Sequence, residues 1–156
     1  MKLVKQDSRG CQYQLSSQEA KSLRLLVDQF PVAEQLPVKI SKSDPEALER
    51  EKLLNESLAD HREKLKQQSA ALVEPGKFKT SGKHQVFRIS QEKREVMLQI
   101  LNDIRVESWR ALGEPEDLEN CAVNLPQDKF KYYYFMYQAG YFQYHFLNVE
   151  GQAGEN

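Results

Sequence analysis

Apolar positions in this chain first recur every second residue and then every third or fourth. Over residues 2–15, Leu3 and Val4 precede the polar run Asp7-Ser8-Arg9-Gly10, after which Cys11, Tyr13 and Leu15 alternate with Gln12 and Gln14. That pattern predicts a β-hairpin with one apolar face, turning at a glycine. From Ser17 to Phe30 the period becomes helical, with Ala20, Leu23, Val27 and Phe30 on one stripe. Ser16 and Glu19 have capping-box spacing, and Pro31 ends this first helix. The stretch from there to Ser43, with Pro37, reads as a linker. Asp44-Pro45 opens a long second helix to about Val73. Its inward stripe is expected at Leu54, Leu58, His61, Leu65 and Leu72, and Pro75-Gly76 stops it.

Residues 75–91 begin as a loop and end in a short alternating strand, Gln85-Val86-Phe87-Arg88-Ile89. Ser90 can cap a third helix, Gln91 to Leu112, whose apolar face comprises Val96, Met97, Ile100, Leu101, Ile104, Trp109 and Leu112, with Gly113 as the stop. Glu114 to Leu125 reads as an acidic loop, and Pro126 starts the last helix. Between Phe130 and Phe146, seventeen residues hold ten of the fifteen aromatics of the chain. Such a helix is apolar all round, so it is either a central element or a binding surface. The predicted fold is α+β and mostly helical. A four-helix bundle-like core surrounds the aromatic helix, beside a small antiparallel sheet made by the N-terminal hairpin and a strand near 85–89. One globular domain, 1–149, and a disordered tail, 150–156, account for the chain.

Composition narrows the function classes. The 156 residues suffice for one real core, and the 29% charged and 40% hydrophobic content fits a soluble globular protein. A net charge of −1 argues against a globally electrostatic nucleic-acid or membrane binder, leaving a local basic patch open. No apolar run approaches the roughly 20 residues that span a bilayer. The opening Met1-Lys2-Leu3-Val4-Lys5-Gln6 lacks a signal-peptide core, so the expected compartment is the cytoplasm. Cys11 and Cys121, the only cysteines, lie 110 positions apart and suggest two reduced thiols, at least one of them in the core. A redox switch would require the two to meet.

No pattern calls for a cofactor or a metal. The run Gly76-Lys77-Phe78-Lys79-Thr80-Ser81-Gly82-Lys83-His84 has five residues between its glycines where a phosphate-binding P-loop has four, and His84 stands in place of the Ser or Thr that follows the lysine. The same segment could touch nucleic acid, with Lys77, Lys79, Lys83 and Arg88 on phosphates and Phe78 stacking on a base; the alternative is a solvated loop. His61 and His145 lie near Asp103 and Glu107 only if helices bring them together, and no helix carries a paired-ligand spacing. Asn102, Asp103 and Arg105 mark the third helix, where Arg105 paired to an acid on another helix would lock the bundle.

Residues 13–30 and 98–117 resemble the bacterial DUF2017 family, a domain of uncharacterised function. The likeness rests on a short strand leading into a helix with Glu19-Ala20 and Leu26-Val27, and on Leu101-Asn102-Asp103-Ile104-Arg105 followed by Leu112-Gly113 and the acids Glu114, Glu116 and Asp117. The aromatic last helix and the basic loop at 75–84 depart from the family pattern. The resemblance implies a cytoplasmic bacterial protein with no known enzymatic activity, linked to regulation of transcription.

Three functions follow as expectations. The first is a non-enzymatic regulatory or adaptor protein that binds a protein partner, as a homodimer, through Trp109, Tyr133, Tyr137, Tyr141 and Tyr144, with no membrane involved. The second is a nucleic-acid-associated regulator using the 77–88 segment. The third is a small enzyme whose site joins Asp103, Arg105, Tyr137 and His145.

Overall fold

The computed structural model describes residues 1–33, 39 and 44–147. The 34–38 and 40–43 parts of the expected linker, and the expected disordered tail, lie outside the described residues.

Two hairpins form one antiparallel sheet. β1 (Lys2–Asp7) and β2 (Gly10–Ser16) turn through Gly10, whose φ of +128° no side-chain-bearing residue adopts without strain. A Cβ there would sit 2.2 Å from the Ile89 carbonyl oxygen, so Gly10 also permits a close backbone approach. Asp7 accepts a 2.8 Å bond from the Arg9 N–H and closes the turn. The second hairpin corrects the expected loop at 75–84. After a single 3-10 turn at Pro75–Lys77, β3 (Phe78–Ser81) and β4 (His84–Ile89) pair directly, which excludes a phosphate-binding loop there. β2 pairs with β4, giving the strand order β1-β2-β4-β3.

The helices are α1 (Ser17–Asp28), α2 (Pro45–Leu72), α3 (Gln91–Ala111), α4 (Leu118–Val123) and α5 (Phe130–Leu147). Their starts follow the predicted chemistry. The Ser16–Glu19 capping box is present in both directions, Asp44 caps α2 ahead of Pro45, and Ser90 accepts from the Lys93 N–H. α3 ends in a Schellman motif: the Gly113 N–H donates to the Arg110 carbonyl and the Glu114 N–H to the Trp109 carbonyl. The acidic loop holds an element not expected from the pattern, α4, capped by Asp117. A single 3-10 turn, Gln127–Lys129, stands between Pro126 and α5.

One hydrophobic core joins the sheet to α1, α3, α5 and the end of α2. Its aromatic centre is the C-terminal end of α5 against the inner face of the sheet. Phe146 meets Tyr13 edge-on at 5.1 Å and Phe87 at 6.3 Å, and all three are buried. Arg94 of α3 donates to the Phe146 carbonyl at 3.0 Å and so satisfies part of the exposed end of α5. Cys11 is buried in β2 and Cys121 half-buried in α4; both thiols are free.

α2 departs from its expected packing. Leu65, Leu72 and Val73 are buried, but Leu48, Leu53 and Leu54 are exposed, as is His61. The exposed leucines all lie in the first half of α2, whereas its buried leucines lie in the second.

Candidate functional site

α5 carries two aromatic stripes. Phe135, Ala139, Phe142 and Phe146 repeat at four- and three-residue steps and face inward, none more than 8% exposed. Phe130, Tyr134, Tyr137, Tyr141 and Tyr144 repeat at the same steps on another face, with exposures from 38% to 63%. Residues at this spacing form one continuous ridge on a helix. The ridge is held on its α1 side. Tyr134 donates to Ser22 Oγ at 3.3 Å, and Tyr141 donates to Glu19 Oε1 at 3.0 Å. The Met1 amine donates to both Glu19, at 2.7 Å, and Tyr141, at 3.0 Å.

These contacts move three titrations. Burial and the Glu19 carboxylate push Tyr141 up to about 12. Burial would raise Glu19, but bonds from the Met1 amine, the Ser16 N–H and Tyr141 overcome it and hold the carboxyl below its ordinary value. His145, against the rings of Tyr141 and Tyr144, is lowered by burial and then by the Met1 amine.

On the other side of the ridge a groove of about 620 Å³ separates α5 from α3. Trp109 and Val106 of α3, Met136, Tyr137 and Tyr141 of α5 and Leu118 of α4 make it apolar, with Arg105 at its edge. Trp109 is fixed by its indole N–H, which donates to the Pro115 carbonyl at 3.0 Å. Tyr133 lies 4.9 Å from Tyr137, a contact that raises its phenol above the ordinary value. Gly140 lies on the floor, where an added Cβ would meet nothing within 4 Å. A mid-helix glycine costs ~1 kcal/mol relative to alanine, and here packing demands no glycine; what it does is keep the groove open.

The structure thus brings Arg105, Trp109, Tyr137 and Tyr141 together, sets Tyr133 beside them, and places Tyr144 at the far end of the ridge. Asn102 and Asp103 belong elsewhere. They line a separate cleft with His61, Leu65 and Glu107 towards α2. The expected lock through Arg105 is corrected: Arg105 is exposed and donates to Asn102 on its own helix, at 3.3 Å. The bridge between helices is Arg62 of α2 to Asp103 of α3, at 2.9 Å with both side chains largely buried. Arg62 was hidden because the charged positions of α2 read alike; only its burial singles it out. Glu107 in the same cleft is held by Arg110 at 3.1 Å.

The four side chains of the enzyme expectation do not meet in one cavity. Asp103 is bonded to Arg62, Arg105 and Tyr137 sit at the α3–α5 groove, and His145 packs on tyrosines. Among the described residues, no three His, Cys, Asp or Glu side chains gather as a metal site requires, and no helix is long and apolar enough to cross a membrane.

The basic residues fall on the sheet. Lys79 and Arg88 project from the solvent face of β3 and β4, Lys83 sits in their turn, and Lys77 precedes β3. Phe78 is not free to stack on a base: it stacks on Phe87 at 4.8 Å, with the Arg24 guanidinium 5.9 Å from its ring centre. Compared with family models, curated proteins and solved structures, the chain matches none.

Proposed function

We propose that this chain is a cytoplasmic regulatory or adaptor protein that acts by binding rather than by catalysis, and that its binding surface is the outer ridge of α5 with the groove beside it. The observation that carries the reading is the ridge itself: five exposed aromatics in register along the whole helix. A fully buried aromatic removes ~150–250 Å² from water, and covering these half-exposed ones removes about half of that each. Tyr, Trp and Arg around an apolar groove are the residue types that carry most binding energy at protein interfaces. Kinship with the DUF2017 family, proposed on Asn102-Asp103-Ile104-Arg105, accords with a regulatory role.

The occupant is a second copy of this chain. The ridge is nearly symmetric about Tyr137: Phe130 and Tyr144 lie seven residues to either side, and Tyr134 and Tyr141 three before and four after. An antiparallel α5 from another molecule therefore sets Phe130 against Tyr144 and, to within one residue, Tyr134 against Tyr141, a self-complementary contact of the kind two-fold dimers use.

Light scattering across concentration tests this. The expected mass is twice the 18.1 kDa of the chain, reverting to a single chain in Tyr137→Glu. A single-chain mass at every concentration would remove the second copy as occupant.

A further inference from the structure

We infer that the solvent face of the four-stranded sheet is a second binding surface, for the sugar–phosphate backbone of a nucleic-acid duplex. This goes beyond the α5 reading and stands on other residues. The two sheet segments, 1–16 and 75–90, contain seven Lys or Arg (Lys2, Lys5, Arg9, Lys77, Lys79, Lys83 and Arg88) against one acid, Asp7. Their net charge is +6, so with the whole chain at −1 the remainder carries −7. The near-neutral total conceals two oppositely charged regions, and four of the seven cations, Lys2, Lys5, Lys79 and Arg88, share the outer face of the sheet.

Strand register orders that face. One cross-strand row runs Lys2, Gln14, Val86, Lys79, and the next runs Lys5, Gln12, Arg88. Lys5 is there because of an irregularity. Strict alternation from Leu3, which is buried on the inner face, would turn Lys5 inward, but the register shifts between Leu3 and Lys5 and sets Lys5 opposite Gln12 on the outer face. Bulges re-aim side chains in this way. At the same end of the sheet Lys5, Arg9, Lys77 and Arg88, drawn from both hairpins, line one polar hollow of about 270 Å³ with Asp7, Gln12 and Ser90.

The dimensions and chemistry favour a duplex. Lys2 and Lys79 sit on the outermost strands, three strand spacings or ~14 Å apart, which spans the ~12 Å major groove of a B-form DNA duplex with Gln12 and Gln14 between. A single strand would want rings to stack on, and this face presents none, Phe78 being turned into the sheet. A lipid surface would want large apolar groups to insert; Val4 is the one exposed, and Val86 is half-buried.

The test is fluorescence anisotropy of labelled mixed-sequence RNA and DNA duplexes with the full chain. Four phosphate contacts, from Lys2, Lys5, Lys79 and Arg88, predict an affinity that falls roughly 100-fold between about 50 and 200 mM salt. Lys5→Gln with Arg88→Gln should halve the slope of log affinity against log salt. Lys5→Arg with Lys79→Arg, which keeps the charges, should retain binding. No duplex binding at about 50 mM salt, an unchanged salt slope in the double Gln variant, or tighter binding to single strands or to phosphatidylglycerol vesicles would each overturn the proposal.

Discussion

The two stripes of α5 are built from the same kinds of residue at the same spacing, yet they meet opposite surroundings. Phe142 and Phe146 are wholly buried against the sheet and α3, whereas Tyr137 and Tyr144 are half exposed or more. The chemistry differs in one respect: the inner stripe has no hydroxyl and the outer one has four. A phenol can leave its oxygen in water or bond it to a neighbour, as Tyr134 and Tyr141 do with α1, while keeping a large apolar ring at the surface. The inner stripe accounts for cohesion. The outer stripe is aromatic surface in excess of what cohesion needs, and its exposure along one helix face is what singles it out as a place for a partner.

Substitutions separate the two stripes. Phe142→Ala removes a fully buried ring and should cost ~3–5 kcal/mol in chemical denaturation. Arg62→Ala breaks the bridge to Asp103 and leaves a largely buried carboxylate, for a loss of ~1–3 kcal/mol by the same measurement. Gly140→Ala should act in the opposite sense. The added Cβ meets nothing, so the monomer should gain ~1 kcal/mol from helix propensity; Gly140→Leu would in addition fill the groove and weaken self-association. Tyr137→Ala should change monomer stability by no more than ~0.5 kcal/mol while lowering the dimer fraction seen by light scattering.

The anchor on the α1 side adds a pH dependence. Glu19 is held below its ordinary value of 4.5, so its unfolded form binds more protons, and its contribution is present above that pH and lost as pH falls below it. His145, also lowered from 6.5, acts in the same direction over a higher range. Thermal melts should therefore weaken from about pH 6.5 downward, and Glu19→Gln should flatten the acid limb.

Much of the fold was legible because its signals are local. The capping serines, Asp44-Pro45 and Gly113 act within one turn of chain, and each stands where the pattern placed it. Elements set by distant neighbours were not legible. β3 is four residues with a single inward ring, Phe78, and its flanking lysines read as loop until β4 pairs with it. The leucine spacing of α2 is helical along its length, but spacing cannot tell which turns find a neighbour. For the site, Tyr137 and Tyr141 were identifiable from aromatic density and Trp109 from the apolar face of α3, and Arg105 stands at the same groove. The choice between Arg105 and Arg62 as the partner of an acid needed three-dimensional placement, because both are ordinary helix cations in sequence. The basic face was half visible, since Lys79 and Arg88 are in the acid-free stretch while Lys2 and Lys5 join them only through strand pairing and the shift after Leu3.

Hydroxyl-radical footprinting of the tyrosines at low and high protein concentration tests the central claim most directly. The outer ridge is predicted to react in dilute solution and become protected on concentration, most strongly at Tyr137 and also at Tyr144, while the buried Tyr13 stays unreactive throughout. Outer tyrosines equally reactive at every concentration would contradict the assignment of this ridge to a second copy of the chain.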